Sequence, residues 1–229
     1  MSAEVDADAL TLRRWRPGDG AAVTAVFEAA LRDAGALYPE AGSPAEEDPL
    51  ADYVDAGGEF LVGVVDDAAA ADVADAAAGD GDGDDGGNGD SDGDGDDDSD
   101  SPADAALPDE LRVADGTLVA TGAVRPPADP VRARFEGVAG LDDREPAELK
   151  RMHVYPAFHR RGIGGRLFDE LIERARGAGY DALVLETTDR QEAALAFYRE
   201  RGFAEATRRT VTVGDGDRLG VVSLWTRLG

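Results

Sequence analysis

The sequence predicts an α/β fold (mixed α+β) in which helices pack on a sheet that contains both parallel and antiparallel strands. An apolar segment that begins near Glu148 ends at Pro156, and a short loop rich in arginine and glycine follows it. A helical pattern then covers Arg166–Arg176, and a second apolar segment, Ala182–Thr187, comes after that helix. A strand, a helix and a strand in this order predict two parallel strands joined by a right-handed crossover.

The N-terminal half adds strands and helices to this unit. Leu10–Trp15 alternates apolar and polar residues, which is typical of a half-buried strand. After the turn Pro17-Gly18-Asp19, a helical face is formed by Val23, Val26, Phe27, Ala30 and Leu31. The remaining predicted elements are a second helix over Pro44–Ala56 and two strands, Glu59–Val65 and Gly116–Val124.

An acidic insertion separates the last two of these strands by about 50 residues. Its centre, Gly79–Ser101, consists almost entirely of Asp, Gly and Ser. Such a segment buries too little apolar surface to offset the entropy lost on ordering, which predicts disorder. We therefore expect a single domain over residues 1–229, with a disordered insertion at about 67–115.

The charge of the chain restricts its environment and its partners. The net charge is −26, and Lys150 is the only lysine beside 22 arginines. This composition resembles that of proteins from halophilic microbes, since molar salt screens such self-repulsion. The negative charge disfavours nucleic acid as a partner. No apolar run is long enough to span a membrane, which predicts a cytoplasmic protein, as a monomer or a homodimer.

The loop between the first parallel strand and its helix has the features of a phosphate site. It reads His159-Arg160-Arg161-Gly162-Ile163-Gly164-Gly165. Backbone N–H groups at a helix N-terminus attract anions, and glycines let a ligand approach the backbone closely. The third glycine of a dinucleotide-binding motif and the lysine of a P-loop are both missing. The loop therefore predicts a pyrophosphate site of another kind.

Several motifs together resemble the GNAT (N-acetyltransferase) superfamily. The loop is similar to that family's Arg/Gln-x-x-Gly-x-Gly/Ala motif, with His159 in its first position. Ala182–Thr187 resembles the family's fifth strand, Gln191–Phe203 its last helix, and Val221–Trp225 its final strand. The resemblance implies about seven strands and about four helices, with a splayed parallel pair at the centre of the sheet. It also implies that Glu59–Val65 and Gly116–Val124 pair as an antiparallel hairpin.

The resemblance further implies that acetyl-CoA is the co-substrate and lies in the slot between the splayed strands. Its pantetheine arm would contact Met152, His153, Val154 and Gln191. The pyrophosphate would be bound by His159, Arg160, Arg161, Gly162, Ile163, Gly164 and Gly165. Tyr198 would protonate the departing thiolate, because a phenol with a pKa near 10 is a suitable acid.

Glu148 is the candidate general base, since it lies eleven residues before His159, the spacing of the base glutamate in the histone-acetylating branch. Glu186 or a water molecule is an alternative. No metal site is predicted: cysteine is absent, and neither His153 nor His159 has a second ligand at a recognisable spacing. The acidic run Asp90–Gly95 matches only the first half of a calcium-binding loop.

Three functions are compatible with the sequence. The first is an N-acetyltransferase in which a primary amine attacks acetyl-CoA directly. The second is a catalytically inactive CoA-binding regulatory module, and the third is an interaction protein that acts through the acidic insertion. The sequence leaves the acceptor open among small amines, amino acids, antibiotics and peptide or protein termini.

Overall fold

The fold is built on one mixed sheet of eight strands. The computed structural model describes residue 6 and residues 9–38, 48–79, 107–214 and 216–229. The strand order is β1-β2-β4-β5-β6-β8-β7, and β3 pairs only with β4. The strands are β1 (Leu10–Arg14), β2 (Glu59–Val65), β3 (Arg112–Val113), β4 (Gly116–Arg125), β5 (Pro146–Val154), β6 (Ala182–Thr188), β7 (Ala204–Val213) and β8 (Asp217–Arg227).

The predicted fold class is confirmed, because β5 and β6 form a parallel pair at the centre of an otherwise antiparallel sheet. The antiparallel pairing of β2 with β4 is confirmed as well. The sheet has eight strands where about seven were expected, and the two-residue strand β3 is the short addition.

Five α-helices are present in the described residues, where about four were expected. They are α1 (Gly20–Asp33), α2 (Asp67–Gly79), α3 (Asp129–Arg132), α4 (Ile163–Gly177) and α5 (Glu192–Glu200). The first half of the predicted helix Pro44–Ala56 lies outside the described residues, and the second half contains a π-helical turn, Leu50–Val54. None of the described helices combines the length and the apolar character that crossing a membrane requires.

Helices cover both faces of the sheet. On one face, α4 and α5 bury Leu167, Leu171 and Leu195 in the larger core cluster. On the other face, α1 buries Val23 and Val26 against β2 and β4. Burial of a Leu or Val side chain contributes about 1.5–3 kcal/mol, so these two contacts fix the layers around the central strands.

The acidic insertion is ordered at both ends, which corrects the predicted disorder over 67–115. Its first 13 residues form α2, whose Ala70 and Val73 are buried in the larger core cluster. Alanine has the highest helix propensity, and an apolar spacing of three residues gives this helix a buried side. Leu111 is fully buried just before β3. Residues 80–106, including most of Gly79–Ser101 and the run Asp90–Gly95, lie outside the described residues.

The central strands separate partway along their length. β5 and β6 pair only at three positions, from Pro146 with Ala182 to Glu148 with Val184. Beyond Glu148, β5 continues against β4 and β6 continues against β8. A bulge interrupts the β4–β5 pairing, where Arg151 adopts a φ of 54° and the Thr121 hydroxyl donates to its carbonyl oxygen at 2.7 Å. Bulges bend strands, and the divergence leaves an opening between β5 and β6.

Candidate functional site

A cleft of about 560 Å³ occupies this opening. Its walls are the diverging strands β5 and β6, the C-terminal part of α1, the α5 helix and the β7–β8 hairpin. The lining includes Phe27, Leu31, Tyr38, Arg134, residues 148–153, residues 185–188, Gln191, Tyr198, Arg209, residues 211–213 and Leu219. This volume is typical of small-molecule sites.

Tyr198 lies on α5 at the edge of the cleft and is 6% exposed. Its ring packs against Phe168, Phe197 and Phe203, with centroid distances of 5.3–6.5 Å. Within the described residues its hydroxyl makes no hydrogen bond, so the aromatic cluster alone orients the ring. Burial raises the pKa of Tyr198 above its usual value near 10, with a smaller opposing effect from Arg201. The hydroxyl therefore keeps its proton at neutral pH and is a weaker acid than the free phenol that the sequence analysis assumed.

The two candidate base carboxylates differ in how far they are engaged. Glu148 is 5% exposed, and the structure gives its side chain one hydrogen-bond partner, Arg125, whose Nε donates to Oε2 at 3.2 Å. Glu186 accepts two bonds from Arg134 at 2.6–2.8 Å, contacts from Arg209 at 3.2–3.3 Å and one bond from Ser223 at 2.9 Å. Both oxygens of Glu186 are therefore already engaged, whereas one oxygen of Glu148 has no hydrogen-bond partner among the described residues.

Met152 and His153 point to opposite faces of the sheet, because side chains alternate along a strand, and both line the cleft. Met152 packs with Leu167 and Leu171 beneath α4. The His153 ring meets Phe27 of α1 edge-on, at a centroid distance of 5.2 Å. Val154 does not line the cleft, and it lies instead beside Gly164, where an added Cβ would be 3.5 Å from its Cγ2. The three residues thus run from the cleft to the glycine loop.

His153 is expected to make folding stability pH-dependent in the acid range. Burial, with a smaller contribution from Arg151, lowers the pKa of His153 to about 3. An unfolded chain has a histidine pKa near 6.5, so the stabilisation is complete above pH 6.5 and is lost as pH falls toward 3. Between pH 7 and 5.5 we expect the wild type to lose about 1 kcal/mol more unfolding free energy than His153→Phe. Urea denaturation measures this, and parallel losses would contradict it.

The glycine loop gives helix α4 a left-handed start. Arg160 has a φ of 58° and Gly162, the N-cap residue, a φ of 80°. Glycine adopts this conformation without steric cost. The N–H of Arg166 donates to the Gly162 carbonyl at 3.1 Å, while the N–H groups of the preceding helical turn have no intrahelical acceptor. These groups and the helix dipole give the loop a geometry that can attract an anion.

The side chains around this loop are held in place by backbone carbonyls. His159 Nε2–H donates to the Val154 carbonyl at 2.8 Å, and Arg161 Nε donates to Ala157 O at 3.4 Å. A Cβ atom added at Gly165 would lie 3.2 Å from Nη2 of Arg201, which is a tight contact. A Cβ atom added at Gly164 would have Cγ2 of Val154 as its nearest neighbour, at an ordinary distance of 3.5 Å. Ile163 is buried beneath the loop. The loop thus presents backbone and arginine to a ligand.

Gln191 lines the cleft as expected, but its side chain is already engaged. Its Oε1 accepts hydrogen bonds from the Thr187 hydroxyl at 2.8 Å and the Thr188 N–H at 3.3 Å. Its amide nitrogen is the group that remains for a ligand. This arrangement ties the end of β6 to the start of α5.

Sequence reasoning did not identify Arg201, whose guanidinium stacks 3.6 Å from the Phe197 ring centroid and reaches the start of α4. It also missed Arg134 and Arg209, which meet at Glu186 from the β4–β5 connection and from β7. Arg209 lies within an alternating polar strand, so its inward position could have been inferred. Arg134 lies in a long connection whose path the sequence does not specify.

The described part of the chain contains no group of three or more His, Asp or Glu side chains placed to hold a metal ion. His153 and His159 have separate environments, against Phe27 and against the Val154 carbonyl respectively.

Comparison with known proteins gives a family match. A model of the acetyltransferase (GNAT) family matches residues 88–203, about half of the chain. An IAA acetyltransferase of Azospirillum brasilense is 45% identical over 58 residues, which are 25% of this chain and 38% of that protein. The chain thus spans about two fifths of the length of this curated relative.

Solved structures share the whole fold. A phosphinothricin acetyltransferase from Sinorhizobium meliloti, in complex with acetyl-CoA, aligns with 96% of this chain and 89% of its own at a TM-score of 0.57 and 16% identity. A ribosomal-protein-alanine N-acetyltransferase from Brucella melitensis aligns over 95% of this chain and 99% of its own length, at a TM-score of 0.56 and 19% identity. These structures differ widely in the acceptors their names imply, so the likeness establishes the fold.

Proposed function

The chain belongs to the acetyltransferase (GNAT) family, and on that premise we propose that it is an N-acetyltransferase that uses acetyl-CoA to acetylate a primary amine. The observation that carries the proposal is the continuity of the site. The open edge of β5 and Tyr198 line the same cleft, and the glycine loop at the helix α4 N-terminus follows β5 in the chain.

The residues present fit acetyl-CoA. The loop has free helical N–H groups and a Gly164 position without a side chain, as a pyrophosphate requires. Arg160 and Arg161 add positive charge there, beside His159, Gly162, Ile163 and Gly165. Met152, His153 and Gln191 line the cleft for the pantetheine arm, and Val154 connects the two regions.

Bound acetyl-CoA supplies an acetyl group activated as a thioester. Glu148, with a single hydrogen-bond partner, accepts the proton of the attacking amine directly or through water; Glu186 is disfavoured because two arginines occupy it. Backbone N–H groups of β5 beyond Glu148 face the opening and can stabilise negative charge on the carbonyl oxygen. As the new N–C bond forms and the C–S bond breaks, the Tyr198 hydroxyl gives its proton to the sulfur.

The first test is calorimetric titration of acetyl-CoA into the purified protein in high salt. Wild-type protein is expected to bind, and Arg161→Glu to bind at least about tenfold more weakly, since it places a negative charge beside the pyrophosphate. Arg208→Glu is the matched control, because Arg208 is exposed on β7 and pairs with Glu205. The proposal would be contradicted if folded wild-type protein did not bind acetyl-CoA, or if both variants weakened acetyl-CoA binding equally.

An inactive CoA-binding module would pass this titration, so a second measurement is required. Thiol release from acetyl-CoA in the presence of amine mixtures distinguishes the two functions. Release that depends on an amine supports the enzyme. Binding without any amine-dependent release would leave only the module.

A further inference from the structure

The cleft has a charge opposite to that of the chain. The net charge of the whole protein is −26. Six charged side chains line the cleft: four are basic (Arg134, Lys150, Arg151 and Arg209) and two are acidic (Glu148 and Glu186). The only lysine of the sequence is among them. A positive cleft in a strongly acidic protein indicates that something negatively charged binds there.

Two of the basic side chains are fixed as a unit on the floor of the cleft. Arg134 donates to Glu186 through Nε and Nη2, and Arg209 donates to it through Nη2 alone. Ser223, fully buried on β8, holds the same carboxylate. The Glu186 side chain is 17% exposed, that of Arg134 is 28% exposed and that of Arg209 is 37% exposed, so the carboxylate is largely shielded from solvent while the arginines remain accessible.

Donors remain on both guanidinium groups. Within the residues that the structure describes, Nη1 of Arg134 and both Nε and Nη1 of Arg209 make no hydrogen bond. One carboxylate cannot neutralise two guanidinium groups, so the cluster carries a net positive charge. Guanidinium groups that are oriented in advance bind carboxylates through charge-assisted hydrogen bonds at little entropic cost.

The phosphates of CoA do not explain this charge. None of the loop residues 159–165 lines the cleft, and the loop has its own arginines and helix N-terminus. Arg134 and Arg209 come from the β4–β5 connection and the β7–β8 hairpin instead, on the opposite side of the opening from β5. They line the same cleft as Glu148.

We infer that the acceptor is a small amine that also carries a carboxylate, such as a free amino acid, and that Arg134 and Arg209 bind that carboxylate. This inference rests on the proposed acetyltransferase function. A plain cationic amine would be repelled by the net positive Arg134–Arg209–Glu186 cluster, whereas a zwitterion offers a carboxylate to the arginines and an ammonium group to Glu148. Its carboxylate binds the arginine pair and its ammonium group binds near Glu148, where the proton is removed. A volume of about 560 Å³, shared with the acetyl end of the co-substrate, favours a small acceptor.

The test compares matched acceptors. The twenty free amino acids and their C-terminal amides are assayed by thiol release from acetyl-CoA, at equal concentrations of unprotonated amine. The amide retains the amine and removes only the negative charge. We expect at least one amino acid to be acetylated with a kcat/KM at least about tenfold above that of its amide, which corresponds to one carboxylate–guanidinium contact.

Variants locate the contact. Arg209→Gln is expected to raise the KM for the best amino acid at least about tenfold, with kcat changed much less and no change for the amide. Arg208 is the neighbouring residue on β7 and its side chain points away from the cleft, so Arg208→Gln is expected to behave as wild type. Calorimetric titration of the same amino acid into protein saturated with CoA gives the binding loss without turnover.

The outcomes separate this inference from the proposed function. If acetyl-CoA does not bind, the proposed function fails first. If acetyl-CoA binds and amides are acetylated as well as or better than amino acids, or a peptide N-terminus is the only acceptor, the inference is overturned while the function stands. Acetyl-CoA binding without acetylation of any amino acid overturns it as well.

Discussion

Tyr198→Phe is expected to lower kcat by about 100-fold or more, while acetyl-CoA binds as tightly as to wild type. General acid catalysis contributes about 10²–10⁴ to a rate, and the phenylalanine ring removes only the hydroxyl. The fold should be unaffected, because that hydroxyl makes no hydrogen bond within the described residues and the ring packs on Phe168, Phe197 and Phe203. Steady-state kinetics and acetyl-CoA calorimetry measure the two effects.

The matched control is Tyr180→Phe. The Tyr180 hydroxyl donates to the Gly57 carbonyl at 3.1 Å, away from the cleft, so its removal should leave kcat within about twofold of the wild-type value. If Tyr198→Phe also retains wild-type kcat, the leaving thiolate is protonated by another group, and Tyr198 is a packing residue.

Arg13→Ala is expected to destabilise the protein by about 3–5 kcal/mol, because it leaves a buried carboxylate without its partner. Arg13 donates to both oxygens of Asp19 at 2.7–2.9 Å and to both oxygens of Asp115 at 2.7–2.8 Å. The Asp19 side chain is 4% exposed and also accepts the Arg16 backbone N–H at 2.7 Å. The pair therefore links β1, the start of α1 and the β3–β4 turn.

Arg16→Ala provides the comparison, because Arg16 contacts the same Asp115 but its side chain is 60% exposed. Exposed pairs contribute about 0–1 kcal/mol, and less in concentrated salt. Urea denaturation of both variants, with Arg13→Ala/Asp19→Ala to complete the cycle, tests the difference. Similar small losses of unfolding free energy for Arg13→Ala and Arg16→Ala would show that the buried pair contributes no more to stability than the exposed pair.

The sequence predicted the features that local pattern determines. Alternation located β1, apolar segments located β2 and β4, and the glycine loop predicted that a helix follows it, which α4 does from Ile163. The order of elements predicted the parallel pair. Helix α2 was missed because its residues were grouped with the acidic insertion, although Ala70 and Val73 lie on one helical side.

The parts that could not be predicted depend on contacts between distant segments. Arg134 and Glu186 are 52 residues apart in the chain, and Arg125 reaches Glu148 only through the register of β4 with β5. The bulge at Arg151 is likewise a product of pairing with β4. Sequence patterns do not specify such registers, so the engagement of Glu186 by two arginines became visible only in the folded protein.

The divergence of β5 from β6 gives the molecule two strand edges that face each other in its interior. Past Glu148 each strand has a hydrogen-bonded neighbour on one side only. On an outer surface, such edges are templates for aggregation with other chains. Here both edges border the cleft between β5 and β6, where an extended ligand with amide groups can hydrogen-bond to them as an added strand would. The separation of the two strands therefore turns a feature that promotes aggregation on a surface into a set of backbone groups available to a ligand.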